Sequence, residues 1–222
     1  TRAEVPAVLA GAAMFFFLFA GYFLLRPVRE TMGIAGGVDK LQWLFTATFI
    51  ATLIALPLFG WLASRARRRR VLPLTFGFFI LNLLAFSVSF VSNPDDVWVA
   101  RAFYVWISVF NLLAISLAWS VMADLLPASQ GKRLFAIVAA GASLGGLTGP
   151  ILGTLLVAPL GHAGLMALSA FFLGLSALCG EALHRWRDNT PLATHALQDR
   201  ETPLGGNVLA GANLDRALDK SH

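Results

Sequence analysis

Long apolar runs separated by short polar segments are the main feature of the chain. A bilayer core of about 30 Å takes about 20 helical residues to cross, and six windows are long and apolar enough: 5–25, 41–63, 71–91, 97–122, 134–157 and 163–183. We therefore predict an all-α membrane protein. It consists of a six-transmembrane-helix bundle over residues 1–187 and a polar cytoplasmic linker or tail over residues 188–222.

The composition agrees with a membrane protein and excludes several other classes. Charged residues make up 13% of the 222 residues, against about 25% in soluble domains. The 17 Lys and Arg residues flank the apolar windows, so a nucleic acid polymer is not an expected partner. The single cysteine, Cys179, excludes an internal disulfide and a cysteine-based metal site. No phosphate-binding or hydrolase motif occurs, so we expect no enzyme activity, no metal and no cofactor.

The basic residues predict an orientation in the membrane. The turn after the second window reads Gly60-Trp-Leu-Ala-Ser-Arg-Ala-Arg-Arg-Arg-Arg-Val-Leu72 and contains five arginines. Each would cost roughly 2.5–3.5 kcal/mol at the centre of a membrane helix, so this turn is expected on the cytoplasmic side. Both termini are then cytoplasmic, and only Arg26, Arg29, Lys40 and Arg101 lie toward the outer ends of the windows.

Polar residues cluster at the end of the first window. At 3.6 residues per turn, Tyr22, Arg26, Arg29 and Glu30 share one helix face. Charges inside a membrane usually line a pathway or pair with one another. The face is therefore either a binding site for an anionic substrate or an interfacial Arg26–Glu30 pair. We favour a substrate site, because Arg29 remains after that pair is made.

A second polar stripe runs along the fourth window. Arg101, Tyr104, Ser108 and Asn111 recur at steps of three and four residues. Lone serine or asparagine residues would usually indicate helix packing. A stripe headed by arginine and tyrosine favours the wall of a substrate cavity.

Glycines recur every four residues in the fifth window. Gly141, Gly145, Gly149 and Gly153 clear one face for close approach of a neighbouring helix. Pro150 lies within this series and is expected to kink the helix. Such a face is suited to tight packing and to rocking between access states.

The turn 60–72 resembles the loop between the second and third helices of major facilitator transporters. That loop reads Gly-x-Leu-Ala-Asp-Arg-x-Gly-Arg-Arg-x-x-Leu, and only Ser64 and Arg67 depart from it. The resemblance implies gating or packing roles for Gly60, Arg65 and Arg69. After the fourth window, Asp124 and Arg133 either latch to a neighbouring half or are simply solvated.

A finer resemblance extends over about residues 10–190. Bacterial relatives of the ATP/ADP translocases, the nucleotide-exchange branch, contain segments similar to Tyr22-Phe-Leu-Leu-Arg-Pro-Val-Arg-Glu and Gln130-Gly-Lys-Arg-Leu-Phe135. An exchanger motif of the fifth helix resembles Gly145-x-x-x-Gly149-Pro150-x-x-Gly153. The resemblance implies the amino-terminal half of a twelve-helix antiporter in a bacterial inner membrane.

The function implied by these resemblances is secondary active transport by alternating access. The expected substrate is a small organic anion, possibly a nucleotide or another phosphorylated metabolite. The expected partners, besides that solute and the lipid bilayer, are the missing second half or a second copy of the chain. The alternative is a non-transporting membrane subunit or a truncated fragment that packs against a partner.

Overall fold

The computed structural model describes residues 5–35, 41–65, 68–125 and 131–188, and these residues are almost entirely helical. The helices are α1 (Val5–Ala35), α2 (Leu41–Arg65), α3 (Arg68–Ser92), α4 (Val97–Leu125) and α5 (Gly131–Asp188). All five are long and apolar enough to be candidate membrane spans. The prediction of an all-helical membrane protein is therefore confirmed. Of the predicted tail, only residue 188 lies within the described part.

The fifth and sixth predicted windows both lie in α5, which has 58 residues and is interrupted at Gly161. There the backbone adopts φ 65° and ψ −178°, a conformation that is essentially restricted to glycine. We call residues 131–160 α5a and residues 162–188 α5b. Pro150 and Pro159 lie inside α5, but the non-helical backbone angles fall at Gly161.

The contacts of α5 with α1 show that the chain reverses direction at Gly161. In α5a, Gly141 lies against Ala12 and Gly153 against Leu24, so residue numbers rise together and the two helices run parallel. In α5b, the Ser169 hydroxyl donates to the Gly21 carbonyl and the Ser176 hydroxyl to the Met14 carbonyl. There the numbers run in opposite directions, so α5b is antiparallel to α1.

Helix α4 packs against α1, α2 and α3, largely through aromatic rings. Trp106 stacks on Phe110 with ring centroids 5.4 Å apart, and both rings contact Phe79 of α3. Phe15 of α1 lies 4.5 Å from Trp119. Rings of this size bury large apolar areas and prefer such offset and edge contacts, so the aromatic residues of α4 form much of the core.

Helix α2 is the least buried element. Only 6% of its most apolar window is buried inside the chain, against 50% for α1. Thr46 bonds the carbonyl of Gln42 in its own helix, as expected for threonine in a membrane helix. The side chains of α2 are therefore available to lipid or to another helical segment.

A tight turn joins α3 to α4. The Asp96 carboxylate accepts hydrogen bonds from the backbone N–H groups of Trp98 and Val99. This caps the start of α4, where backbone donors have no helical partner.

The chain divides into two units, Thr1–His184 and Arg185–His222. The first contains α1 to α4 and most of α5. Of the second, the structure describes residues 185–188, which are helical.

Candidate functional site

Arg29 is held between α1 and α4. Its Nε donates to the Ser108 hydroxyl at 3.1 Å, and its guanidinium carbon lies 4.3 Å from the centre of the Tyr104 ring. Tyr104 is buried, and the Ser108 hydroxyl donates in turn to the Tyr104 carbonyl at 2.9 Å. A guanidinium fixed by a ring face and a hydroxyl is pre-organised to bind a planar or anionic group.

The charge of Arg29 is balanced by Glu30. Their side chains form an ion pair at 3.0 Å, with 19% of the Arg29 side chain and 56% of the Glu30 side chain exposed. The alternative of an Arg26–Glu30 pair is replaced in the structure by this pair between neighbouring residues. Glu30 therefore occupies one edge of the Arg29 guanidinium. An incoming anion would have to displace the Glu30 carboxylate.

Arg26 and Arg101 lie in different surroundings. Arg26 is exposed, and its guanidinium carbon is 6.0 Å from the Phe23 ring. Arg101 lies 5.1 Å from the Trp98 ring in an open groove of about 460 Å³ between α2 and α4. The groove is otherwise apolar and includes Trp43 and Trp98, whose side chains are 73% and 74% exposed. The described contacts thus give each arginine its own aromatic partner.

The remaining predicted site residues lie along the same two helices. Tyr22 is half-buried with its ring 5.1 Å from that of Phe23. Asn111 lies further along α4, and its Oδ1 is buried without a hydrogen-bond partner in the described part of the chain. The Thr48 hydroxyl of α2 is in the same situation. Buried polar atoms without partners are costly, so these two positions stand out from the apolar packing around them.

The glycine series has a defined partner. A β-carbon at Gly149 would lie 2.7 Å from the Ala20 carbonyl oxygen, and one at Gly153 would lie 3.1 Å from that of Leu24. Gly141 and Gly145 meet the carbonyl oxygens of Ala12 and Phe16 more closely still. Four glycines therefore face four α1 carbonyls with the same spacing, as expected for tight packing.

Four of the predicted gating residues have no described side chain. The side chains of Arg65, Arg69, Asp124 and Arg133 lie outside the described residues. Gly60 is described, and a β-carbon there would meet nothing within 4 Å. Within the described ranges, no three His, Cys, Asp or Glu side chains come together in a group that could hold a metal ion.

Sequence reasoning missed the serines of α5b. Ser169 and Ser176 are buried and bond α1 carbonyls, while Ser87 of α3 donates to the Ala163 carbonyl at 2.9 Å. Their seven-residue spacing puts Ser169 and Ser176 on one helix face. This spacing was the available signal, although serine in an apolar span does not by itself identify its partner.

The described helices form a membrane bundle with polar groups between α1 and α4. Residues 7–207 match the Major Facilitator Superfamily, and the chain belongs to this family. A curated relative, the riboflavin transporter RibZ of Clostridioides difficile (strain 630), is 24% identical over 147 residues. The matched stretch is 64% of this chain and 31% of that protein, so it spans about a third of the relative's length.

The chain matches no solved structure. The resemblance to ATP/ADP translocase relatives is not supported by the family match or by this relative. Nucleotide exchange therefore has no support beyond the short segments that suggested it.

Proposed function

We propose that this chain is the amino-terminal half of a secondary transporter that moves an organic anion by alternating access. The observation that carries the proposal is Arg29, held by Tyr104 and Ser108 between α1 and α4. Membrane-embedded charges usually line pathways, and the family match gives the architecture in which a pathway is expected. The other wall of the site would come from a second half or a second copy.

The proposed topology has six membrane crossings. The opposite directions of α5a and α5b along α1 support two crossings within α5. The arginine-rich turn after α2 supports cytoplasmic termini, with the chain in a bacterial inner membrane.

The proposed anion site uses the guanidinium groups at the outer end of α1. An incoming carboxylate or phosphate would replace Glu30 on Arg29, because guanidinium binds such groups through two parallel hydrogen bonds. Arg26 would add a second cation, and Tyr22, Ser108 and Asn111 would supply hydrogen-bonding groups. Arg101 would contribute from the start of α4. A nucleotide or another phosphorylated metabolite has the required charge, and movement by exchange remains a proposal.

Riboflavin is a second candidate substrate. The matched relative is a riboflavin transporter, and this chain has partly exposed rings on α1 at Phe19 and Phe23. A flat ring system can stack on such side chains. Riboflavin carries no phosphate, so the two candidates differ in their need for a cation.

Uptake by proteoliposomes that contain the complete protein tests the proposal. The assay compares labelled nucleotides, phosphorylated sugars and riboflavin in the wild type, Arg29→Gln and Arg29→Lys. Arg185→Gln is the control, since it removes the same charge from a residue that the proposed site does not include. We expect Arg29→Gln to reduce uptake of anions at least tenfold and Arg185→Gln to leave it unchanged.

Three other outcomes separate the candidates. Anion uptake that survives Arg29→Gln overturns the anion site. Riboflavin uptake that is insensitive to this substitution favours the second candidate. No uptake of any solute favours a non-transporting subunit.

A further inference from the structure

Helix α1 is covered on three faces and open on a fourth. The glycines of α5a contact the first face at Ala12, Phe16, Ala20 and Leu24. Helix α5b forms hydrogen bonds to the second face at Met14 and Gly21. Helix α4 contacts the third face at Phe15 and Arg29. At about 100° per residue, the fourth face lies between those that meet α4 and α5a. It carries Phe19, Phe23, Arg26 and Glu30, which we call the α1 stripe.

None of the four residues of the α1 stripe is buried. Phe19 and Phe23 are half-buried, while Arg26 and Glu30 are exposed. The stripe is therefore open along at least three turns of a helix whose other faces are closely packed.

The two rings of the stripe continue an ordered row that begins at the buried Phe15. Phe15 and Phe19 have centroids 6.2 Å apart and planes inclined at 27°, and Phe19 and Phe23 follow at 6.1 Å and 30°. Arg26 lies 6.0 Å beyond Phe23. A β-carbon at Gly146 would lie 3.5 Å from the Phe23 ring, so α5a supports this ring from one side.

The residue types on the stripe differ from those at the exposed positions of α2 and α3. Exposed positions on α2 and α3 are mostly aliphatic or aromatic, whereas the stripe combines two rings with a cation and an anion. Ionisable residues in a membrane span usually face the interior of a bundle or a wet cavity. A near-parallel row of rings that ends in a guanidinium is complementary to a flat aromatic ring with an anionic substituent.

We infer that the α1 stripe binds the planar ring of the transported solute, with the ring stacked on Phe19 and Phe23 and its anionic group on Arg26. The inference rests on the proposed function and narrows it to solutes that carry an aromatic ring. A sugar phosphate or a simple carboxylate would use the cations alone and bind more weakly.

Equilibrium binding to the complete protein in nanodiscs distinguishes the contribution of the aromatic ring to the affinity from that of the anionic group. Three probes are used: flavin mononucleotide has both groups, riboflavin has the ring without the phosphate, and ribose 5-phosphate has the phosphate without the ring. Phe19→Leu and Phe23→Leu keep apolar volume and remove stacking. Phe171→Leu is the control, because Phe171 is a 59% exposed ring on α5b, outside the stripe.

The expected pattern is specific to each substitution. Phe19→Leu and Phe23→Leu each lower the affinity for both flavins about five- to tenfold and leave the affinity for ribose 5-phosphate unchanged. Arg26→Gln lowers the affinity for flavin mononucleotide and for ribose 5-phosphate but not the affinity for riboflavin. Phe23→Trp retains flavin binding, which distinguishes lost stacking from a damaged fold.

Two results would overturn the inference. One is equal flavin affinity in Phe19→Leu, Phe23→Leu and Phe171→Leu. The other is the absence of flavin binding to the complete protein. If Arg29→Gln still abolishes anion uptake in either case, the proposed transport stands without the aromatic site. If flavins bind at the stripe but no solute is carried, transport fails and the binding site remains.

Discussion

Gly145 of α5a lies against the carbonyl oxygen of Phe16 in α1 so closely that no β-carbon fits between the two helices. One turn further, a β-carbon at Gly149 would lie 2.7 Å from the Ala20 carbonyl oxygen and 2.8 Å from the Phe23 β-carbon. Carbonyl groups of a helix cannot rotate away as the end of a flexible side chain can. The contact is therefore determined by the two backbones.

Substituting alanine for Gly145 is expected to lower the free energy of unfolding. The added methyl group must push α5a away from α1, and overpacking of this kind costs about 1–3 kcal/mol. Denaturant titration in detergent, followed by circular dichroism, measures the change.

Gly146→Ala is the matched control on the next residue. A β-carbon there would lie 3.5 Å from the Phe23 ring, which is ordinary van der Waals contact. Because alanine favours a helix over glycine by about 1 kcal/mol, this variant should be as stable as the wild type or more stable. Equal losses in Gly145→Ala and Gly146→Ala would show that the close contact with α1 is absent.

Gly161→Ala is expected to destabilise the protein by roughly 1–3 kcal/mol. The cost comes from the backbone alone, since φ is 65° and a β-carbon at this position would meet nothing within 4 Å. Gly60→Ala serves as the comparison, because Gly60 is also in open space but lies inside α2. A stable Gly161→Ala variant would mean that the reversal does not depend on this conformation.

Ser169→Ala and Ser176→Ala should each lower stability by about 0.5–1.5 kcal/mol. Each removes one hydrogen bond between α5b and α1, of 2.9 Å and 2.8 Å respectively. Ser143→Ala is the control, since the Ser143 hydroxyl is exposed and bonds the Ala139 carbonyl of its own helix. If all three variants melt alike, the hydroxyls do not link the two helices.

Glu30→Gln is expected to increase the affinity for an anionic solute about two- to fivefold. The substitution removes the carboxylate that competes for Arg29, and exposed ion pairs of this kind are worth about 0.2–1 kcal/mol. Binding of the solute in nanodiscs measures the effect, which should shrink at high salt. A loss of affinity would instead place Glu30 among the groups that hold the solute.

Cysteine labelling is expected to place His162 outside and Ser221 inside. In a Cys179→Ala background, a membrane-impermeant maleimide should label His162→Cys in intact cells and Ser221→Cys only after permeabilisation. The expectation follows from the reversal at Gly161 and the arginine-rich turn after α2. Labelling of both positions from the same side would mean that α5 does not cross the membrane twice.

The spans could be predicted from the sequence because hydrocarbon sets a simple length requirement. The windows 134–157 and 163–183 lie on either side of Gly161, where α5 reverses. A helix interior rarely requires a glycine. Because this chain has many glycines, the positive φ of Gly161 could not be identified from the sequence. The glycine spacing likewise indicated a close contact without identifying α1 as the partner.

The site was predicted less well than the spans, for a geometric reason. The sequence left open a pair between Arg26 and Glu30, whereas Glu30 pairs with Arg29 at 3.0 Å. Arginine side chains are long, so neighbouring rings can decide their direction. Arg26 turns to Phe23 and Arg29 to Tyr104, and neither choice follows from helix periodicity.

The glycine series also restricts how α1 and α5a can move past each other. A screw motion by one residue, about 1.5 Å along the axis and 100° around it, would bring Ala142 and Thr154 toward carbonyl oxygens that now face Gly141 and Gly153, and their side chains would collide with α1. A slip of four residues, about 6 Å, would again place glycines opposite carbonyls at three of the four positions. Screw motion between these helices is therefore hindered in steps smaller than a whole turn, and rearrangements of that kind are expected to carry the two helices together.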